Sequence, residues 1–312
     1  MTRFLFYTDS HLAGESPRHR VDDFPKAVVA KVREVYSTAE AEGCQFVAFG
    51  GDYFNNHRIF SYEVISDVLD VLVGSPLRTY MVVGEHDLYG HSMATYQTST
   101  LAFFVKCCQN VEVLWEPRDF GEMVLYGKHE PEPMEKAMGA AVDPAKVNVL
   151  VCHELLTPNP MPYDVVDTAS LSGCPYDLVL SGDLHDGYET HRVGRTWFCN
   201  PGSLARRTTA DAGRWPQVAL VDVEKGRDPR VELRRLACAR SGADVFGESI
   251  AEAARAMQGF DADGFARELL EFEAESTDVH ELVQKAGAKA GLRREVLEYL
   301  AKKRTEKVQE AA

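Results

Sequence analysis

The stretch Phe46-Val47-Ala48-Phe49-Gly50-Gly51-Asp52 reads as a short apolar strand that ends on two glycines and a carboxylate. Four consecutive apolar residues bounded by a glycine pair have the length and composition of a strand buried on both faces. The glycines let the backbone turn sharply and come close to whatever lies ahead of the strand, where a Cβ would crowd it. Asp52 then places a charged oxygen donor at the strand's carboxyl end.

The same arrangement recurs along the chain. Phe4 to Tyr7 is followed by Asp9 and His11, Tyr80 to Val83 by Gly84-Glu85-His86-Asp87, Val147 to Val151 by His153, and Leu178 to Leu180 by Gly182-Asp183-Leu184-His185. Val111 to Leu114 is a further strand candidate. Amphipathic segments alternate with these runs. One helix is expected after Asp22 and Asp23, with Pro25 in its first turn and Val28, Val32, Val35 and Ala39 buried at helical spacing. A second is expected from the N-cap Ser61 through Val64, Ile65, Val68 and Leu72 to Gly74.

This alternation is α/β, and in an open α/β sheet ligands gather beyond the carboxyl ends of the strands. Five donor clusters at strand ends therefore converge. A single strand-end Asp is usually a cap or turn residue, and a single His a satisfied structural group. Their ordered repetition argues for a site. If the extended backbone continues past Tyr7, the spacing of Asp9 and His11 aims both side chains the same way. Mixed imidazole and carboxylate donors suit Mn, Fe or Zn better than Ca, and the donors outnumber what one ion needs, so two divalent metals are implied.

Composition limits the alternatives. A chain of 312 residues with 45% hydrophobic content can bury one large core and carry a smaller appendage. No uncharged apolar run reaches membrane-spanning length and the N-terminus lacks a signal-peptide pattern, so a cytoplasmic protein with no membrane association is expected. Seven cysteines without a C-x-x-C pair suggest neither a disulfide framework nor a zinc knuckle. A net charge of -14 argues against gripping nucleic acid by bulk electrostatics; a local basic patch, bound metals or a partner would have to supply the attraction.

After Asn200 the runs Gln217 to Val223 and Arg230 to Leu236, joined by the turn-like Lys225 to Pro229, are expected to form a hairpin closing a second sheet. From about Asp244 the chain becomes charged, with apolar positions at helical spacing around Val279 to Ala286 and Leu292 to Leu300. The expected division is a catalytic domain over residues 1–240 and a helical extension over 241–312.

The order D-x-H, G-D, G-N-H-D/E, H, G-H-x-H resembles that of the calcineurin-like metallophosphoesterases from Asp9 to His185. Gly51-Asp52-Tyr53-Phe54 with Arg58, and Asn200-Pro201-Gly202-Ser203, look like the SbcD-type DNA repair exonuclease subunits. The resemblance implies an α/β four-layer sandwich, two mixed sheets flanked by helices. It implies that Asp9, His11 and His185 hold one metal, that Asp52 bridges, and that Glu85, His153 and Asp183 hold the other. His86 is the implied general acid beside a two-metal-activated hydroxide. The expected cofactors are two divalent ions, Mn2+ foremost with Mg2+ or Fe as alternatives, because the carboxylates Glu85 and Asp183 favour a harder second ion than zinc; the implied substrate is DNA, and the implied partner an SbcC-like coiled-coil ATPase docked on the tail. The tail could equally pack on its own core or pair two copies as a homodimer.

Three departures stand out. Glu85 replaces the family's Asn and Asp183 the first His of its final pair, each exchanging a neutral donor for an anion. Asn55 stands where some members have Asp, which leaves open what orients His86. Arg58, Arg192, Arg195, Arg206 and Arg207 could meet phosphate, with Arg58 and Arg206 as the substrate-binding candidates. Besides the nuclease reading, a phosphatase or phosphodiesterase on a non-nucleic-acid substrate and a non-catalytic DNA-end-binding subunit stay open.

Overall fold

A computed structural model describes residues 1–159, 161 and 165–247. The helical extension expected beyond Gly247 lies outside the described residues. One sheet contains β1 (Thr2–Tyr7), β2 (Phe46–Phe49), β3 (Arg78–Met81), β4 (Val111–Val113), β13 (Gln217–Val223) and β14 (Arg230–Arg235), in the order β14-β13-β1-β2-β3-β4. The other contains β5 (Arg118–Asp119), β6 (Met123–Lys128), β7 (Val147–Cys152), β10 (Leu178–Ser181), β11 (Tyr188–Val193) and β12 (Thr196–Asn200), in the order β11-β12-β10-β7-β6-β5. Two short strands, β8 (Leu156–Thr157) and β9 (Val166–Asp167), pair separately. The helices are α1 (Phe24–Ala41), α2 (Tyr62–Gly74), α3 (Thr100–Cys107), α4 (Met134–Met138) and α5 (Gly242–Phe246).

Side-chain alternation along the strands builds the layers. Phe4 and Phe6 of β1, Phe46 and Ala48 of β2 and Tyr80 of β3 enter one cluster with Leu125, Val149, Val151, Leu178 and Leu180 of the other sheet. The intervening residues Leu5, Tyr7, Val47, Phe49 and Met81 face the opposite way, onto Val28, Val32 and Val35 of α1, Val68 and Leu72 of α2 and Phe104 of α3. On the far side of the second sheet Val124, Tyr126, Leu150, Cys152 and Val179 pack with Met134 and Ala137 of α4. The result is the expected sandwich, two mixed sheets flanked by helices. Both expected helices form with their expected caps, Asp23 accepting from Lys26 N and Ser61 from Val64 N.

Three expectations are corrected. The Gln217–Val223 hairpin does not close a second sheet: β13 lies antiparallel to β1, so the hairpin occupies the edge of the first. Pairing of β3 ends at Met81 rather than Val83. Val83 is already in a loop, its N–H donating to His129 Nδ1 at 3.1 Å. The third concerns Arg206, which is buried and donates to the carbonyls of Arg214 (3.2 Å) and Arg240, so it has a structural task instead of a substrate.

Arg206 belongs to a group of buried cations that organises the segment after β12. Arg214 donates to the carbonyls of Ser203 and Ala205, Lys31 to Leu204 O at 2.8 Å, and Arg20 to Arg206 O at 2.6 Å while pairing with Asp22 at 2.7 Å. Four successive carbonyls thus each receive a side-chain hydrogen bond, and those from Arg20 and Arg214 are charge-assisted, the stronger kind. Burial first, then the neighbouring arginines, lowers the Lys31 pKa to about 7. The unfolded chain therefore binds more protons than the native one from about pH 7 up to the ordinary lysine value, and native stability rises with pH across that window. Lys31→Met is expected to cost about 1–3 kcal/mol by stranding the Leu204 carbonyl. Urea titrations at pH 7 and 9.5 should show the wild type gaining on this variant at the higher pH; a difference independent of pH would refute a buried, proton-poor amine.

Candidate metal centre

Loops at the carboxyl ends of β1, β2, β3, β7 and β10 carry the donors, and pairing that continues past the sheet holds the loops together. Asp9 N donates to Gly51 O at 3.1 Å, His11 N to Asp52 O at 3.0 Å and Leu12 N to Tyr53 O at 3.0 Å, so the first two loops run side by side. The backbone is not extended there as the spacing argument assumed. Asp9, His11, Asp52 and Asp183 have φ of 52°, 41°, 58° and 73°, and only one other non-glycine among the described residues, His91, is positive. Left-handed backbone is uncommon for such residues, and its concentration here marks a place where convergence is held against local preference.

All seven ligand candidates meet. Donor atoms of Asp9, His11 and His185 lie within 4.8 Å of one another, as do those of Glu85, His153 and Asp183. Asp52 reaches both sets, with Oδ2 3.7 Å from His11 Nε2 and Oδ1 3.6 Å from His153 Nε2. His11 and His185 face each other through Nε2 atoms 2.9 Å apart, and His153 Nε2 is 2.6 Å from Glu85 Oε2. Gly51 and Gly84 behave as the sequence suggested: a Cβ on the first would strike the His153 ring, and on the second the Asp52 carboxylate.

Backbone carbonyls orient two of the imidazoles. His153 Nδ1 donates to Gly50 O at 2.7 Å, which turns Nε2 and its lone pair to the centre. His86 Nδ1 donates to Asn55 O at 2.7 Å, presenting Nε2 3.9 Å from Asp52 Oδ2. The backbone of Asn55 thus orients His86, and the Asn side chain is not needed for it. His86 N also donates to Asp52 Oδ1 at 2.9 Å.

The sequence reading quoted two further segments without their supporting roles. Asp87 is buried and points away from the donors, accepting from the N–H groups of Gly84 (3.1 Å), Phe54 (3.2 Å) and Tyr53 (3.4 Å), which knots the second loop to the third. The Asn200-Pro201-Gly202-Ser203 segment straps the first triad. Asn200 Nδ2 donates to Leu184 O at 3.1 Å, Ser203 N to His185 O at 2.9 Å, Leu204 N to Thr8 O at 3.0 Å, Ala205 N to Asp9 O at 3.1 Å, and Ser203 Oγ to Asp9 O at 2.9 Å. Tyr53 and Phe54 pack beneath the loops against Phe49 and Phe104 and are closed to any base. Of the arginines, Arg192 pairs with Asp228 and Arg195 with Asp177, and both line a second cavity with the Lys225–Pro229 turn. Arg58 and Arg207 share a cavity that includes Asn55.

Burial dominates the electrostatics. It raises Asp9 to about 7, Asp183 to about 6 and Asp52 well above the carboxylate range, with nearby carboxylates adding to it and His153 opposing. It also lowers His185 to about 4 and His11 well below the imidazole range. For Glu85 and His153 burial opposes charge as well, but their mutual hydrogen bond and neighbouring charges win, holding Glu85 down to about 2 and His153 high.

These residues fit a pair of divalent cations. Carboxylates at this depth either hold protons or neutralise a positive charge, and Asp9, Asp52, Glu85 and Asp183 have no lysine or arginine within ion-pair distance among the described residues. The neutral imidazoles of His11 and His185 are in the state in which nitrogen can ligate.

Comparison with known proteins agrees with the geometry. No curated protein matches the chain. Among solved structures, a dimetal phosphatase from Danio rerio is similar, with a TM-score of 0.52 and 12% identity over 75% of this chain and 96% of its own. A phosphoesterase from E. coli, Yfce, aligns at 14% identity over 71% of this chain and 88% of its own, with a TM-score of 0.38. TT1561 of Thermus thermophilus aligns at 13% identity over 74% and 98%, with a TM-score of 0.47. At such identities the first of these speaks for the fold alone. The model of the calcineurin-like phosphoesterase superfamily domain matches residues 3–226, from the first strand to the turn of the last hairpin, and the chain belongs to that superfamily.

Proposed function

We propose that this phosphoesterase is a two-metal phosphodiesterase acting on DNA, in the manner of the SbcD-type nucleases. The observation that carries the preference for diesters is the charge of the donor set. Asp9, Asp52, Glu85 and Asp183 bring four negative charges to one centre. Two divalent cations cancel them, whereas the family's pattern, with Asn and His in place of Glu85 and Asp183, leaves the centre two charges positive. A neutral centre loses most of its pull on a dianionic monoester and less on a monoanionic diester.

Asp9, His11 and His185 would hold one cation, Glu85, His153 and Asp183 the other, with Asp52 shared. Bound there, they would neutralise the phosphate oxygens and generate a nucleophile at neutral pH. The chain supplies the rest. His86 is held by Asn55 O at Nδ1 and offers Nε2 on the open side, its side chain 34% exposed, which suits it to protonate a departing alkoxide. Asp87 and the Asn200–Ser203 strap keep the loops in register. DNA as substrate and an SbcC-like coiled-coil ATPase as partner rest on the resemblance of the Asp52–Arg58 and Asn200–Ser203 segments.

Three experiments test this reading. With Mn2+, kcat/KM for bis(4-nitrophenyl) phosphate should exceed that for 4-nitrophenyl phosphate by about tenfold or more, with cleavage of single- or double-stranded DNA; a preference for the monoester would overturn it. His86→Ala should lower kcat on DNA by about 10²–10⁴-fold. The loss should be much smaller on bis(4-nitrophenyl) phosphate, whose leaving group needs no proton, and equal losses on both would remove His86 from the acid role. Finally, harder oxygen donors at the Glu85 site should favour manganese over zinc there. Metal analysis after reconstitution with equimolar ions checks this, zinc in the second position being the contrary result.

A further inference from the structure

Donor side chains at the centre differ in exposure. Asp9, His11, Asp52 and His153 are buried, whereas the side chains of His86 and His185 are 34% and 37% exposed, so substrate enters past these two. Arg207 lines a cavity with Asn55, the residue whose carbonyl holds His86, and lies within electrostatic reach of His11, His86, His185 and Asp52. Its backbone N–H is tied to Asp211 Oδ2 at 2.8 Å, yet its guanidinium makes no ion pair or hydrogen bond among the described residues. The adjacent Arg206 is buried and gives both terminal nitrogens to carbonyls, so the pair divides a structural task from a cation without an ion pair among the described residues.

From Arg207 a cavity of about 780 Å³ runs along Asn55, Asn56, Arg58 and Phe60. It reaches Asn55, whose carbonyl holds the general acid His86. A proton donor faces the leaving oxygen, and the groove therefore lies on the leaving-group side. Arg58 is aimed by its Nε–H to Thr98 O at 3.1 Å, and its terminal nitrogens have no hydrogen bond or ion pair among the described residues. Phe60 is 83% exposed at the lip. Glu15 is the one carboxylate in the lining. Two uncommitted guanidinium groups, amide side chains and a bare aromatic ring suit a strand of alternating phosphates and planar bases.

We propose that this groove is a subsite for single-stranded polynucleotide. The scissile phosphate sits on Arg207, the next phosphate on the leaving side on Arg58, and the adjoining unpaired base against Phe60. The inference rests on the nuclease reading above and adds its local basic patch to a chain of net charge -14.

The test compares the Mn2+-loaded wild type with Arg58→Ala, Phe60→Ala and Arg207→Ala on an eight-residue oligothymidylate and on bis(4-nitrophenyl) phosphate, and measures anisotropy of the fluorescein-labelled oligonucleotide. Arg58→Ala and Phe60→Ala should lose about tenfold more kcat/KM on the oligonucleotide than on the small diester, chiefly through KM, with about tenfold weaker binding. Arg207→Ala should lose on both substrates. If the wild type cleaves the oligonucleotide and the Arg58 and Phe60 variants match it, the groove is wrong and the nuclease reading stands. If the wild type hydrolyses the small diester but neither cleaves nor binds the oligonucleotide, the nuclease reading falls and the groove with it.

Discussion

Mutual repulsion of buried carboxylates is the constraint around which this molecule is arranged. Asp9 and Asp52 are fully buried, and Glu85 and Asp183 meet the same centre from other loops. In a low-dielectric setting such groups stay ionised only beside compensating positive charge. The fold provides that convergence without a local lysine or arginine partner among the described residues, which reserves the compensation for cations. It also explains why left-handed backbone is gathered at Asp9, His11, Asp52 and Asp183: the loops are held in place by what surrounds them, against their own preference.

What surrounds them is a shell of backbone hydrogen bonds. Asp87 ties the Tyr53–Phe54 segment to Gly84, and the strap after β12 ties β1 to the loop bearing Asp183 and His185. Behind the strap, Arg20, Lys31 and Arg214 saturate its carbonyls. These cations lie one layer away from the donors. They stiffen the loop and add a positive background without blocking any ligand atom, whereas the same charges inside the centre would compete with the metals. The low Lys31 pKa reflects the burial of that layer first and its neighbouring arginines second.

Much of this was legible because it is written locally. Short apolar runs ending on Gly and Asp or His gave β1, β2 and β3 of the first sheet and β7 and β10 of the second, the order of the loops and all seven ligand candidates, and Asp23 and Ser61 announced their helices. Three kinds of feature were not legible. The neighbour of the last hairpin was missed because pairing of β13 with β1 joins residues more than two hundred apart, and nothing in Gln217–Val223 names its partner. β6, in the second sheet, was overlooked although Met123-Val124-Leu125-Tyr126 is apolar enough to read as a strand and His129 and Glu130 follow it; His129 serves the loops instead of the centre, meeting Val83 N and Leu114 O. Arg206 and Arg207 are identical in sequence terms, and only the direction of each side chain separates a structural arginine from one facing the site. Similarly, Asn55 looked like a defect because side chains are what a sequence displays, while the backbone carbonyl that holds His86 is the same for any residue.

The acidic balance of the chain and a polyanionic substrate are compatible once charge is considered at short range. Screening confines electrostatic influence to about 10 Å at ordinary ionic strength, so a net charge spread over the whole surface slows encounter without deciding what the cleft holds. Inside the cleft the local sum matters. Two divalent cations held by the four carboxylates would leave a neutral floor, and the guanidinium groups of Arg58 and Arg207 would make the walls positive. On the proposed reading a monoester would reach only Arg207. A chain whose next phosphate reaches Arg58 would gain from both walls. Extra anionic ligands that weaken the centre toward small phosphates would then shift selectivity toward extended ones.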